Sequence, residues 1–383
     1  MSIAVSIVCN QVIPYRIPVF NALAREPDLD VEVVYISKAE KNRKWKVDDR
    51  LLHKHVLLPS ISAYVTARDW PVHLHWGLGK ALENRAPDVT VTMGYDSPAF
   101  WQTLAWARRC NAAHVLYFGS TALSSRTTRG IVDKLRRRYI RDTDAFLAYG
   151  SWAQDYLIQL GARWQDIFPA VNTVDVAGIA ENVAAATPIQ RGAGSELLFI
   201  GQLIERKGLD ILIKGLYRLP HRDWRLHVVG DGPDEPRLRR LVKRKELQGH
   251  VLFHGYKQKS ELYPYLAGCD ILVMPSHREV WGLVINEALA AGMFVVAGQT
   301  AGCARDIIHQ GVNGMTIDTR DEAHIASVME QAMRLPKDRR MLQKSILSHT
   351  PQVTAQRLGE AIRHAAAKRA TGTAKATVPM SRP

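Results

Sequence analysis

Apolar positions along this chain alternate between two patterns. Short unbroken runs give way, after a turn, to stretches where apolar residues recur every third or fourth position. The first pattern predicts buried strands and the second predicts amphipathic helices. In the first half, strands are predicted at 2–9, 30–37, 89–94, 113–118 and 145–149, with helical stretches such as "PVFNALARE", "SPAFWQTLAWARRC" and "SWAQDYLIQLG" between them. Section 38–75 is less regular, and its Trp and His content marks it as an insertion at a binding face. The second half is cleaner: "ELLFIGQL", "WRLHVVGDG", "VLFHGY", "DILVMPS", "FVVAG" and "GMTID" are six strand candidates, nearly all feeding a helix. Such alternation predicts an α/β fold with two Rossmann-like parallel-sheet domains, each with helices on both faces.

The expected organisation is a first domain over 1–173 and a linker over 174–194, where "AENVAAATPIQRGAGS" is rich in small residues, Pro and Gly. A second domain follows over 195–350. A last helix over 351–369 is expected to pack back on the first domain, and a tail over 370–383 is expected to be disordered.

Composition adds bounds. With 383 residues, 46% hydrophobic and 23% charged, the chain is long enough for two ordinary domains. Cys9, Cys110, Cys269 and Cys303 are scattered without metal-ligand spacing, as expected of reduced thiols in a cytoplasmic protein. The opening "MSIAVSIVCN" reads as a strand rather than a signal peptide, and no apolar run is long enough to span a bilayer.

The net charge of +14 changes the picture more. It concentrates in "DKLRRRYIR" (133–141) and "RLRRLVKRK" (237–245), which suit an anionic membrane surface, phosphate-bearing substrates or a plainly solvated helix face. Nucleic acid ranks last, because no motif for its recognition accompanies the charge.

The candidate chemistry lies in loops of the second half. "GQLIERKG" (201–208) sets Arg206 and Lys207 where a helix is about to start, an arrangement suited to an anion. "GDGP" (230–233) is a turn. "SHREVWGLVINEALAAG" (276–292) carries Glu279 before an apolar helix and Glu287 inside it, with Gly282 opening the helix. "TAGCARD" (300–306) offers small residues, Gly302 among them, for close backbone approach. Paired carboxylates also serve hydrolysis. Beside a phosphate-binding helix end, however, a carboxylate more naturally accepts two hydrogen bonds from vicinal hydroxyls.

Taken in order, "GQLIERKG", "HVVGDGP", "VLFHGY", "CDILVMPS" and "REVWGLVINEALAAG" resemble the retaining glycosyltransferases of the GT-B fold, specifically the large family 4. The resemblance spans nearly all of 194–320. It implies that Glu279 contacts the transferred sugar and Glu287 the ribose hydroxyls of a nucleoside-diphosphate sugar. Lys207 would contact the diphosphate, with the backbone of Gly282, Leu283 and Val284 completing the cradle. Gly255 and Tyr256 would line the base pocket.

Two departures stand out. Gly201–Gln202 replaces a common Gly-Arg, so Arg206 is the cation left to supply that charge. "CNQVIPYRIPVF" lacks the Gly-Gly loop of many members, and Tyr15 and Arg16 take its place, Arg16 as a contact to diphosphate or acceptor or as an ordinary helix-start arginine. The "PYR-x-P" start resembles members that build bacterial surface polysaccharides.

The resemblance also implies a front-face, metal-independent transfer without a cofactor, in which the enzyme positions substrates and stabilises charge. The first domain would hold a saccharide or lipid-linked acceptor, with Ser120 at the loop after "HVLYFG". Asp96 either orients an acceptor hydroxyl or caps the following helix, and capping is the favoured reading. His114 reads as structural, and His73 and His75 lack carboxylate partners for a metal. The expected location is the cytoplasm, at the inner face of the membrane. The rivals are a nucleotide-sugar epimerase or hydrolase on the same architecture, and a non-catalytic membrane-surface scaffold.

Overall fold

The computed structural model describes residues 2–37, 50–65, 70–125 and 129–372. Among them, the first parallel sheet is built from β1 (Ile3–Gln11), β2 (Leu29–Ser37) and β3 (Lys54–Leu57). A hairpin of β4 (Ser60–Val65) and β5 (Trp70–His75) follows, and the sheet continues with β6 (Val89–Thr92), β7 (Ala113–Phe118), β8 (Ala145–Tyr149) and β9 (Ile167–Ala170). The sheet order is β3-β2-β1-β6-β7-β8-β9.

The second sheet uses β10 (Ser195–Ile200), β11 (Trp224–Val229), β12 (Val251–Phe253), β13 (Ile271–Met274), β14 (Phe294–Gly298) and β15 (Gly314–Ile317), ordered β12-β11-β10-β13-β14-β15. Winding therefore reverses between β1 and β6 and again between β10 and β13. Loops at the carboxyl ends of those strands frame a crevice in each sheet.

The strongly apolar strands lie where periodicity places them. β3, the hairpin and β9 escaped it for physical reasons. β3 is an edge strand whose side chains are largely exposed, so it shows no apolar run. β9 carries Pro169, which an edge position tolerates because no neighbour needs its missing N–H. The irregular section 38–75 is in part β3 and the hairpin; 38–49 and 66–69 lie outside the described residues.

The segment 174–194 is not all linker. Val176–Ala185 is a helix, with Asp175 accepting from the Gly178 N–H at 3.1 Å and Val176, Ile179 and Val183 buried. Its small residues are mostly alanine, which favours helix over linker.

The helix Pro351–Ala370 returns to the first domain and lies against β7, β8, β9 and the helix Ile17–Leu23. Leu358, Ala361, Ile362 and Ala365 are buried there. Its polar residues pair with the same domain: Arg363 with Asp28 at 2.7 Å, and Lys368 and His364 with Asp166, each at 2.9 Å. Residues 373–383, most of the expected tail, lie outside the described residues. One apolar cluster fills the first domain and continues into the second through Trp281, Ile285 and Leu289; another fills the far side of the second sheet.

Candidate functional site

Backbone hydrogen bonds gather the second-domain loops at one edge. Gly201 N–H donates to Val229 O at 3.0 Å, Gly230 N–H to Gly255 O at 2.9 Å, and His277 N–H to Arg206 O at 2.9 Å. Arg206 and Lys207 sit on a short 3-10 turn, Glu205–Lys207, that ends at Gly208. Gly208 has φ +68°, and a Cβ there would lie 2.1 Å from Pro275 O, so only glycine lets this turn close on the β13 loop.

That closure brings the predicted charges together. Lys207 Nζ makes a close ion pair with Glu279, and Arg206 Nη1 lies 3.7 Å from the same carboxylate oxygen while donating to Arg278 O at 3.0 Å. Two residues expected to grip different parts of a ligand are thus paired with each other. Gln202 is exposed beside them.

The helix Leu283–Ala290 begins at Gly282, with no side-chain cap. Ile285 N–H donates back to Gly282 O at 2.9 Å, while the N–H groups of Leu283 and Val284 have no intrahelical acceptor, an arrangement that suits an anion. Glu287, one turn in, is mostly buried and makes no hydrogen bond through its carboxylate to any described residue. Burial pushes this carboxyl up to about 7, with Lys259 opposing. Gly302 is less available than the sequence suggested, because its N–H is donated to Glu279 O at 3.2 Å. Tyr256 follows β12 and is 38% exposed.

In the first domain, Arg16 is not an ordinary exposed helix-start residue. It closes the 3-10 turn Pro14–Arg16, Nη2 donates to the Tyr149 hydroxyl at 2.8 Å, and its guanidinium lies 5.5 Å from the Tyr117 ring centroid and 6.0 Å from that of Tyr15. Ser120 Oγ is 3.3 Å from the Tyr95 hydroxyl. The helix Pro98–Arg109 takes Ser97, not Asp96, as its N-cap, with no side-chain capping bond. His114 is fully buried between Thr90 and Thr92, and burial, with Arg108 adding, pushes its imidazole down to about 3.

Sequence reasoning missed the residues that join the domains. Asp306 accepts from the Ser151 N–H through both carboxylate oxygens at 3.1 Å, at the start of the helix Gly150–Gln159. Gly150, at φ +69°, leaves no room for a Cβ, which would meet Asp306 at 2.3 Å and Trp281 at 2.8 Å. Trp281 Nε1 donates to Asn286 Oδ1, and Asn286 Nδ2 to Asn172 O, each at 3.0 Å. Nothing in the spacing of these residues marks them, since the contacts exist only once both sheets have formed.

The two basic runs are both helical but differ. In Glu235–Arg244, Arg237 and Arg239 pair with nearby carboxylates. In Gly130–Arg141, the apolar residues among the charges divide between core and surface. Tyr139, Ile140 and Arg136 are buried, with Arg136 donating to Tyr95 and Tyr156, whereas Ile131, Val132 and Leu135 are exposed.

Comparison with known proteins bears on both domains. Residues 191–347 match the family described as Glycosyl transferases group 1. The lipopolysaccharide core biosynthesis glycosyltransferase LpsE of Rhizobium meliloti is 28% identical over 228 residues, 60% of this chain and 64% of that protein. A D-inositol 3-phosphate glycosyltransferase of Pseudarthrobacter chlorophenolicus is 33% identical over 191 residues, 47% of this chain and 45% of that one. The matches thus span less than two thirds of these relatives' lengths.

Among solved structures, the lipopolysaccharide outer core galactosyltransferase WaaB superposes with TM-score 0.72 at 16% identity, covering 94% of this chain and 99% of that one. Anabaena HepE in complex with UDP gives 0.73 at 15%, covering 95% and 100%. At such identities the likeness speaks for the fold. The chain has the two-domain GT-B architecture, and its second domain is similar in sequence to the group 1 glycosyl transferases.

Proposed function

We propose that this protein is a retaining glycosyltransferase that moves a sugar from a nucleoside-diphosphate sugar to an acceptor hydroxyl. The observation that carries this reading is the contact of Lys207 and Arg206 with Glu279 beside the uncapped helix end at Gly282. Cations and free amides at one place suit a diphosphate, and a carboxylate among them suits the hydroxyls of the attached sugar.

In this reading, Glu287 accepts two hydrogen bonds from the ribose hydroxyls, which gives a use to a half-buried carboxylate that makes no hydrogen bond to a described residue. As the bond from the anomeric carbon to the diphosphate breaks, Lys207, Arg206 and the amides of Leu283 and Val284 stabilise the charge that develops on the leaving group. The acceptor oxygen bonds to the same face, and its proton passes to the departing diphosphate. These groups supply the positive charge, so the transfer needs no divalent metal.

The acceptor is a saccharide or lipid-linked saccharide held by the first domain, as in surface polysaccharide synthesis. The lipopolysaccharide-core name of one relative supports this. The exposed Ile131, Val132 and Leu135, flanked by Arg129, Lys134 and Arg138, suit docking on the inner face of an anionic membrane.

The test is a panel of UDP-, GDP- and ADP-sugars with saccharide acceptors, read as released nucleoside diphosphate and glycosylated product, with and without chelator. Transfer requires both products. A changed sugar still on its nucleotide would indicate epimerisation, and no binding or release with any donor would end the proposal.

A further inference from the structure

Among the described residues, Arg16 is a cation with only neutral neighbours. Its guanidinium lies among Tyr15, Tyr117 and Tyr149, and Cys9 is the other group close enough to influence it. Burial pushes the Tyr149 phenol up to about 12, Arg16 opposing, and the Cys9 thiol likewise; burial raises Tyr117 well above its ordinary value. None of these three carries negative charge at neutral pH. No carboxylate of a described residue forms an ion pair with Arg16, and its Nε, shielded from solvent, has no hydrogen-bond acceptor. A half-buried guanidinium with a shielded, unbonded Nε normally has an anionic partner, since its fork of donors must be satisfied.

The position argues that the partner is a substrate. Arg16 follows β1, at the point where the winding of the first sheet reverses, and Tyr149 ends β8 of the same sheet. The next residue, Gly150, touches Trp281 and Asp306 of the second domain. Arg16 therefore stands at the crevice end of the first domain, across from the loop that carries Glu279. The donor's diphosphate already has Lys207, Arg206 and a helix end in the second domain. Cation–π contact with the Tyr15 and Tyr117 rings and the hydrogen bond to the Tyr149 hydroxyl hold the guanidinium without neutralising it, so its charge stays available to a ligand.

We propose that Arg16 binds an anionic oxygen group, a phosphate or carboxylate, carried by the acceptor, and thereby selects anionic acceptors. This rests on the transfer reading above only in calling the ligand an acceptor. Two parallel N–H···O bonds from the guanidinium would fix both the position and the orientation of that group.

The test uses the full chain and inorganic phosphate as the probe. UDP, GDP and ADP are titrated first, and the protein is saturated with the tightest so that the donor's phosphate site is filled. Phosphate is then titrated by calorimetry. The wild type is expected to bind phosphate under these conditions. Arg16→Gln should bind it about tenfold more weakly or worse, the usual effect of losing a charged hydrogen bond, with nucleotide affinity changed less than twofold. Arg16→Lys should fall between, keeping the charge but not the fork; if Arg16→Gln does not fold, this variant carries the test.

Phosphate binding that is absent from the saturated wild type, or equal in Arg16→Gln, overturns the proposal. So does a tenfold loss of nucleotide affinity, which would assign Arg16 to the donor's diphosphate. If no nucleotide binds at all, the transfer reading fails separately, and the phosphate titration of the unliganded protein still decides whether Arg16 is an anion receptor.

Discussion

Glu287 shows what a half-buried carboxylate costs the fold. Its ordinary value is 4.5 and burial raises it to about 7. Between those values the folded chain keeps a proton that the unfolded chain releases, so stability falls as pH rises through this window and stays lower above it. Glu287→Gln is therefore expected to melt higher than wild type at pH 8, by up to about 3 kcal/mol, and to show no such gain near pH 4. The same variant should bind nucleotide more weakly. Melting curves at the two pH values check this, and a gain that ignores pH would show that the carboxylate is not the cause.

Lys207→Ala should lower turnover by on the order of 10²-fold, since its contact strengthens as the leaving group gains charge. Glu279→Ala should cut turnover while leaving binding of the bare nucleoside diphosphate nearly unchanged. Steady-state kinetics beside calorimetry separates the two effects, and wild-type turnover in Lys207→Ala would remove that residue from the mechanism. Lys207, Glu279 and Glu287 were legible in the sequence because each belongs to a loop and helix following a recognisable strand. The tyrosine cage of Arg16 was not, because its members come from the loop after β1, from β7 and from β8, and only folding unites them.

At the scale of elements, the strands buried on both faces announced themselves, and the two edge strands of the first sheet did not. β3 is exposed and β9 contains proline, so neither carries the unbroken apolar run that marks a central strand. The helix Val176–Ala185 hid among small residues for the opposite reason, since alanine serves linker and helix alike. The helix Gly150–Gln159 has no capping side chain of its own and borrows Asp306 from the other domain. Asp306→Ala should cost about 1 kcal/mol of stability, as the loss of a helix cap does. It should also loosen the two domains, seen as a larger radius of gyration in solution scattering without nucleotide. An unchanged melt and an unchanged radius would show that this contact does not hold them.

For the whole molecule, the charge of +14 takes a definite shape. The helix Gly130–Arg141 turns three aliphatic side chains outward beside its basic ones, and each basic run is partly neutralised by neighbouring carboxylates, Arg137 by Asp133 and Arg138 by Asp142 in this helix, Arg237 by Asp210 and Arg239 by Glu235 in the other. Each basic residue near an anionic bilayer contributes about 1 kcal/mol, so a few suffice for reversible attachment. Co-sedimentation with anionic vesicles should weaken with added salt, vanish with neutral lipid, and fall in Ile131→Ser/Leu135→Ser and in Lys134→Ser/Arg138→Ser. Arg136 is left intact because it is an internal strut to Tyr95 and Tyr156. Equal sedimentation of these variants and wild type would place the contact elsewhere.

The helix Pro351–Ala370 sets an order of events during synthesis. It covers β7, β8 and β9, yet leaves the ribosome only after every strand of the second sheet has been made. Until then the first domain displays the apolar surface that Leu358, Ala361, Ile362 and Ala365 will cover, and Asp144 and Asp166 have only Arg108 and Arg163 beside them, without Arg369 and Lys368. The nascent first half therefore keeps that surface open to solvent for as long as the second half takes to emerge. Expressed alone, residues 1–185 should be insoluble, and a peptide of residues 350–372 supplied in trans should recover part of the soluble yield.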